Sequence, residues 1–256
     1  MIAWRDGRFV DEGALSWPGA AARLGAGFFA TVRWDGREAR HYARHAARLL
    51  ASLDHFELPR LAPPDAEVAA EVARRNGLSG RVGRINLVYP LEGPELDAAP
   101  ARPVLLAAAF TPPSPGPLAL AVHPEPHASY LGAHKSTSYL PYLLARRGAR
   151  RAGLFDAVLV DQDGLVVEAS ACALLLADAE GLVAPAHALA LPSIALSLAA
   201  EALPVRRHPV LAEELGGFAH AYVLNSLIGM RPVERIGPHA YEIDTAPCAA
   251  ADAVIL

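Results

Sequence analysis

A mixed fold of the α/β (α+β) class, built as two lobes, is what this sequence of 256 residues predicts. Three observations predict it. Segments with strand-like alternation and segments with helical spacing occur in both halves of the chain. The halves are separated by "TPPSPGP", residues 111–117, where four of seven positions are proline and neither a helix nor a central strand survives. The composition, 53% hydrophobic and 20% charged, is that of a globular chain and not of a disordered one. The expected organisation is a small N-terminal α/β lobe over 1–110, a proline-rich linker over 111–117 and a larger C-terminal lobe over 118–256.

The elements follow in order. "IAWRDGRFV" places Asp6 and Gly7 between apolar flanks, and "FFATVRWDGREAR" does the same with Asp35 and Gly36; both are hairpin signals. "RHAARLLASLDHF" sets Ala47, Leu49, Leu50, Leu53 and Phe56 near helical spacing. "DAEVAAEVARRNG" predicts a second helix, opening near Asp65 and stopping at Gly77. "GRVGRINLVYP" and "RPVLLAAAF" read as buried strands. After the linker come the strand "LALAVHP" and a helix in "STSYLPYLLARRGARRAGL", with Leu140, Leu143 and Leu144 on one face and Gly153 at its end. Pro141 fits in its first turn, where the backbone N–H has no partner to lose. "DAVLVDQDGLVVEAS" is a hairpin about Asp163 and Gly164, "CALLLAD" a strand, "LPSIALSLAAEAL" a helix, and "HAYVLNSLIGMRPV" a strand, a turn and an extended exit.

Several function classes are set aside by the same residues. Net charge is −4 and the arginines are spread along the chain, which argues against a nucleic-acid binder. "MIAWRDGRFVDEG" lacks the apolar core of a signal peptide, and no apolar run approaches the ~20 residues of a membrane span. Cys172 and Cys248 are too few for a disulfide framework or a four-cysteine zinc site. A cytoplasmic protein is the expectation. "GAGFFA" fits a dinucleotide fingerprint, but strand-like "TVRWDG" follows it where a helix is needed. His123, His127 and His134 match no metal spacing and read as loop histidines, so no metal is expected.

One residue stands apart. Lys135 is the only lysine among 23 basic residues, in a chain whose abundant alanine and arginine suggest GC-rich coding. Arginine replaces lysine wherever charge alone is needed. It cannot do so where a primary amine must form a Schiff base or carry a proton near neutrality. The neighbourhood "SYLGAHKSTSYLP" is aromatic and small-polar, which suits a pocket. Glu168 closes the apolar strand "GLVVE", and a buried carboxylate there needs a partner. A surface lysine and a solvated strand-end glutamate are the plainer readings of the two.

"HKSTSYLPYLLARRGARRAGLFDAVLVDQDGLVVEASACALLL" resembles the fold-type IV pyridoxal-phosphate enzymes, with the D-amino-acid aminotransferase-like fold, and the likeness runs over nearly the whole chain. "GAGFFATVR" is similar to that family's first glycine-bearing segment, with Ala26 and Ala30 in place of its Asp and Glu, and "HAARL" matches its H-x-x-R-L helix. The resemblance implies pyridoxal 5′-phosphate as cofactor. It also implies Lys135 as the Schiff-base lysine and proton carrier, Glu168 beside the pyridine nitrogen, and Arg48 on the phosphate. "LPSIALS" resembles the L-x-G-I-T-R helix start, so the backbone at Ser193, Ile194 and Ala195 is expected to cradle the phosphate. Asn225 and Ser226 lie in "LNSLIGMRPV", the second phosphate-side turn. Ser193, Ala195 and Leu196 depart from the family's Gly, Thr and Arg, and "ASACA" from its small-polar run after the glutamate.

The resemblance also bears on the reaction. Pro90 and Phe29 stand near the places of an arginine and a tyrosine of the D-amino-acid enzymes, which argues against that subclass. "NSLIGMRPV" is most similar to the turn of the aminodeoxychorismate lyases. The expected activity is release of pyruvate and 4-aminobenzoate from 4-amino-4-deoxychorismate, a step of folate synthesis. The alternative is an aminotransferase for a small, branched-chain type amino acid; a third reading is an inactive binding protein on the same scaffold. A small-molecule amino substrate and a homodimer are implied partners, with Phe28, Phe29 and Tyr130 as candidate interface aromatics.

Overall fold

The computed structural model describes residues 1–11 and 19–256; Glu12 and Gly13, at the end of the opening stretch, lie outside the described residues. By contact the chain divides into two units, one of Met1–Pro112 with His134–Tyr139, the other of Pro113–Ala133 with Leu140–Leu256.

The first unit is an antiparallel sheet with helices. Strands β1 (Ile2–Arg5) and β2 (Arg8–Asp11) form the first hairpin. Its turn places Asp6 at φ 51° and Gly7 at φ 79°, the left-handed pair that matches strand twist. Helix α1 (Ala20–Leu24) precedes β3 (Gly27–Trp34). Helices α2 (Tyr42–His55) and α3 (Ala66–Arg75) lead to β4 (Gly83–Pro90) and β5 (Val104–Ala109), and the strand order is β2-β1-β5-β4-β3. Alternation along β3 sends Phe28, Ala30, Val32 and Trp34 into the core, where they pack with Leu49 and Leu53 of α2. Asp65 caps α3 by accepting from the Val68 N–H at 2.9 Å. At the other end of α3, Asn76 exchanges two hydrogen bonds with the backbone of Ile2.

The expected hairpin at Asp35 is not formed. Asp35 Oδ1 accepts from the N–H groups of Arg37 and Glu38, and this side-chain turn sends the chain into α2 after a single bridge between Trp34 and Ala39. β3 pairs instead with β4, in register over its whole length. On α2 the buried face runs through Tyr42, His45, Ala46, Leu49, Ser52 and Leu53, so Ala47 is exposed.

The second unit is built on a larger sheet. It contains β6 (Leu118–Val122), β7 (Asp156–Val160), β8 (Val166–Ala169), β9 (Ala173–Asp178), β10 (Gly181–Pro185), β11 (Val205–His208), β12 (His220–Asn225), β13 (Gly229–Ile236) and β14 (His239–Ala240). The order is β11-β10-β9-β12-β13-β6-β7-β8, with β14 on β13, and the sheet curls until β8 meets β9 and β10. Helices α4 (Leu140–Arg151), α5 (Ile194–Ala202) and α6 (Ala246–Ile255) complete it, with α5 and α6 packed on each other.

Helix α4 departs from expectation twice. It starts at Leu140, because residues 136–139 belong to a segment paired with β3. It also packs through Ala145 and Ala149 against Ala157 and Leu159 of β7, since small side chains allow close approach. Leu140, Leu143 and Leu144 are left 62%, 54% and 49% exposed. Of the candidate interface aromatics, Tyr130 is 70% exposed but Phe28 is a core residue, turned inward by the alternation of β3. Among the described residues no helix is long and apolar enough to cross a membrane.

Candidate active site

In the first unit, His134–Tyr139 lies as a strap against the start of β3. The Phe29 N–H donates to the Lys135 carbonyl at 2.9 Å, and the Thr137 N–H to the Gly27 carbonyl at 2.8 Å. The hydroxyls of Thr137 and Ser138 both donate to the Gly25 carbonyl, at 2.5 and 3.2 Å. At the head of the strap, His134 Nδ1 is 3.0 Å from Ser52 Oγ of α2. The His134 ring packs on His55 and Phe56, with centroids 4.8 and 4.7 Å away. The backbone of Lys135 is thus fixed on both sides. Its amine lies 4.8 Å from the Phe29 ring centroid and 5.1 Å from that of Tyr139, and the two rings meet edge to face at 5.3 Å. Two ring faces at that range attract a cation and keep water off one side of it.

Arg48 follows on α2, half-buried, one turn beyond His45. His45 is 2% exposed. Burial first, then the positive charges of Arg48, His41 and Lys135, push its imidazole down to about 3, so it is neutral and adds no charge beside them.

In the second unit, Glu168 sits on β8 opposite Leu159 of β7 and is 8% exposed. A carboxylate that deep requires donors or a cation. Beyond it the chain turns through residues 170–172, closed by the Ala169 N–H donating to the Cys172 carbonyl at 3.0 Å. Ser193 is the N-cap of α5, its hydroxyl accepting from the Leu196 N–H at 3.2 Å. The hydroxyl is occupied in capping, which leaves the first-turn N–H groups of Ile194 and Ala195, with no carbonyl one turn back, as the donors at this helix end. Ala195 and Leu224 share one core cluster, so α5 is seated on β12. Asn225 at the end of β12 is engaged in the turn itself. Its Oδ1 accepts from the N–H groups of Leu227 and Ile228 at 2.9 and 3.0 Å, and its Nδ2 donates to the Ala171 carbonyl at 3.0 Å.

Comparison with known families and structures decides what this scaffold is. The model of the family described as amino-transferase class IV matches residues 27–236. The chain belongs to the class IV amino-transferases. A class IV amino-transferase is a pyridoxal-phosphate enzyme, so the expected family, mixed fold, enzymatic character and cofactor all stand. Among solved structures, the chain is similar to the branched-chain aminotransferase of Thermoproteus uzoniensis crystallised with norvaline. Identity is 22%, coverage 99% of this chain and 93% of that one, and TM-score 0.85. It is similar to a hypothetical aminotransferase from Mycobacterium tuberculosis in its PLP-bound form (21% identity, 100% and 99% coverage, TM-score 0.82). It is also similar to the branched-chain amino acid aminotransferase of Escherichia coli (21%, 94% and 88%, 0.80). At these identities the likeness is one of fold. No curated protein matches the chain.

The candidate residues of this class IV amino-transferase chain divide between the units. Lys135 and Arg48 lie in the first, Glu168, Ser193, Ile194, Ala195, Asn225 and Ser226 in the second. The sequence assigns Lys135 to the lobe 118–256, whereas contact groups it with the first unit, because the strap bonds to β3. The loop histidines separate in the same way. His127 is buried with Nε2 3.2 Å from the Tyr142 hydroxyl in the second unit, while His134 serves the strap in the first. Among the described residues no cluster of three or more His, Cys, Asp or Glu could hold a metal. His45 and Tyr139 are given no role by the sequence, and His134 only that of a loop histidine. His45 opens the quoted "HAARL" and Tyr139 stands near the end of "SYLGAHKSTSYLP", but only the fold sets His134 at the head of the strap, the Tyr139 ring beside the lysine amine, and His45 within reach of its charge.

Proposed function

We propose that this chain is a pyridoxal 5′-phosphate-dependent aminotransferase for a small apolar amino acid of the branched-chain type. The observation that carries the reading is the amino-transferase match over residues 27–236. The aminotransferase names of the solved structures, two of them branched-chain enzymes, support it further. The apolar flank of Lys135, with Phe29 where a hydroxyl-bearing tyrosine would be polar, suits an aliphatic substrate.

The residues present fit the cofactor. One primary amine flanked by rings, one deeply placed carboxylate, one arginine and a helix N-terminus are the donor set that an aldehyde, a pyridine nitrogen and a phosphate require. When bound, the cofactor supplies an electron sink for the substrate's α-carbon. Lys135 would hold it by its amine and would carry the proton at that carbon, and Glu168 would keep a proton on the ring nitrogen. Arg48 of the first unit, and in the second the N–H groups at Ile194 and Ala195 with the turn at Asn225 and Ser226, would be the groups offered to the dianion, while Ser193 fixes the helix end. The working form is a homodimer in the cytoplasm.

The lyase reading rests on the asparagine-bearing turn. Asn225 closes residues 226–228 and holds residue 171, a structural role that either activity can use, so the amino-transferase likeness carries the choice. The test is direct. The protein with added cofactor is given leucine, valine or isoleucine with 2-oxoglutarate, and separately 4-amino-4-deoxychorismate. Glutamate in the first assay supports the proposal. 4-Aminobenzoate in the second, without glutamate in the first, replaces it by the lyase, and failure to take up cofactor replaces both by the binding protein.

A further inference from the structure

The run "ASACA" after Glu168 and the carboxylate of Asp156 have no part in the function proposed above, yet they form one buried network. Asp156, the first residue of β7, is completely buried. Its Oδ1 accepts from the Ala157 N–H at 2.8 Å and from the Ser170 hydroxyl, and its Oδ2 from the Ala171 N–H at 3.1 Å. The Ser170 N–H in turn donates to the Ala157 carbonyl at 2.9 Å. The turn that leaves Glu168 is therefore bonded to one carboxylate through both of its first residues. Its next contact runs onward, since the Ala171 carbonyl and Cys172 Sγ accept from Asn225 Nδ2 at 3.0 and 3.2 Å, and Asn225 Oδ1 closes the turn 226–228. Burial pushes the Asp156 carboxyl up, against the pull of these donors and of the Arg146 charge. A completely buried acid is costly to keep, and beyond the adjacent Ala157 N–H the donors named for it belong to the 170–171 turn.

We propose that Asp156 is a positioning residue, whose carboxylate fixes the turn 170–172 and, through Asn225, the turn 226–228, and so sets both the exit of Glu168 and the phosphate-side loop. The effect on cofactor rests on the roles assigned above to Glu168 and to the turn at Asn225. The network itself does not.

Asp156→Asn tests it in the full-length chain. The change keeps the shape but places an NH2 group against a donor of the 170–171 turn. Hydrogen exchange at Ala171, Leu227 and Ile228 is expected to quicken by about tenfold or more, with Leu175 and Tyr222 in the same sheet changed by less than about threefold. The dissociation constant for pyridoxal 5′-phosphate should rise by at least about tenfold. A uniform rise in exchange, or none at the three amides, would overturn the proposal by making Asp156 an ordinary core group. Local exchange as expected with unchanged cofactor affinity would overturn its link to the cofactor. If the wild type takes up no cofactor, the functional reading fails while the exchange pattern still decides the network. Should Asp156→Asn not fold, Ser170→Ala removes one donor and leaves the carboxylate. Exchange at Ala171, Leu227 and Ile228 should then quicken by about threefold, and no change there would sink the proposal.

Discussion

Acid should destabilise the first unit through one buried imidazole. His45 is depressed from 6.5 to about 3 by burial and by the charges of Arg48, His41 and Lys135. Between those values the folded unit binds fewer protons than the unfolded chain, so the stability tied to a neutral His45 is complete above about 6.5 and drains away as pH falls. At pH 5 the unfolded chain gains about 1.5 pH units of proton binding that the folded unit forgoes, and at 1.36 kcal/mol per unit the loss is about 2 kcal/mol relative to pH 7.5. The assay is urea unfolding followed by tryptophan fluorescence, which reports this unit because Trp4 and Trp34 pack in its core and no tryptophan follows residue 34 in the sequence. The control is His45→Gln, which cannot titrate. Its stability at pH 7.5 will be lower, but its change between pH 7.5 and 5 should be smaller than that of the wild type by about 2 kcal/mol. His127 and His134, also pushed down by burial, titrate in both proteins and cancel in the difference. Equal pH dependence in the two proteins would refute the assignment of the acid sensitivity to His45.

Three further outcomes follow from named residues. Lys135→Ala should abolish the visible absorbance of bound cofactor, and borohydride should tag only the peptide containing residue 135, a clean result because no other lysine competes; a tag elsewhere would remove Lys135 from its role. Glu168→Gln should lower kcat by at least ~100-fold, about 2.7 kcal/mol of barrier, with cofactor retained, whereas turnover within about twofold of wild type would make Glu168 a mere strand residue. Gly229→Ala should cost about 2–4 kcal/mol in thermal unfolding, because Gly229 sits at φ 69° and an added Cβ would fall on Asp252 Oδ1, which accepts from the Met230 N–H at 2.7 Å; a smaller loss would mean that the turn relaxes.

What the sequence made legible was local. Asp65 with the stop at Gly77 located α3, and the apolar stretch in "GRVGRINLVYP" located β4, because a cap and an apolar run are written in adjacent residues. The amine and the carboxylate could be picked out as oddities of composition, one lysine among arginines and one acid in an apolar strand. What failed depended on pairing at a distance. Leu140, Leu143 and Leu144 have the spacing of a core face, yet Ala145 and Ala149 make the contact with β7. Asp35 carries a hairpin signal, but β3 found its partner about fifty residues later in β4. Asp156 reads as an ordinary strand start, and its value as an acceptor depends on Ser170 and Ala171 coming back to it across the hairpin.

The strap His134–Tyr139 has a consequence for how the molecule is made. The chain completes β1 to β5 by residue 109, yet the piece that bonds to β3 emerges only after β6 has been synthesised. A nascent chain arrested near residue 112 can therefore assemble the first sheet but leaves the Gly25 and Gly27 carbonyls and the Phe29 N–H to water, and it has no lysine amine. A gene fragment cut at the proline-rich stretch inherits the same defect. Joining residues 134–139 back to it by a short linker would restore those bonds. The order of translation thus delivers the lysine after the strands it bonds to have been made.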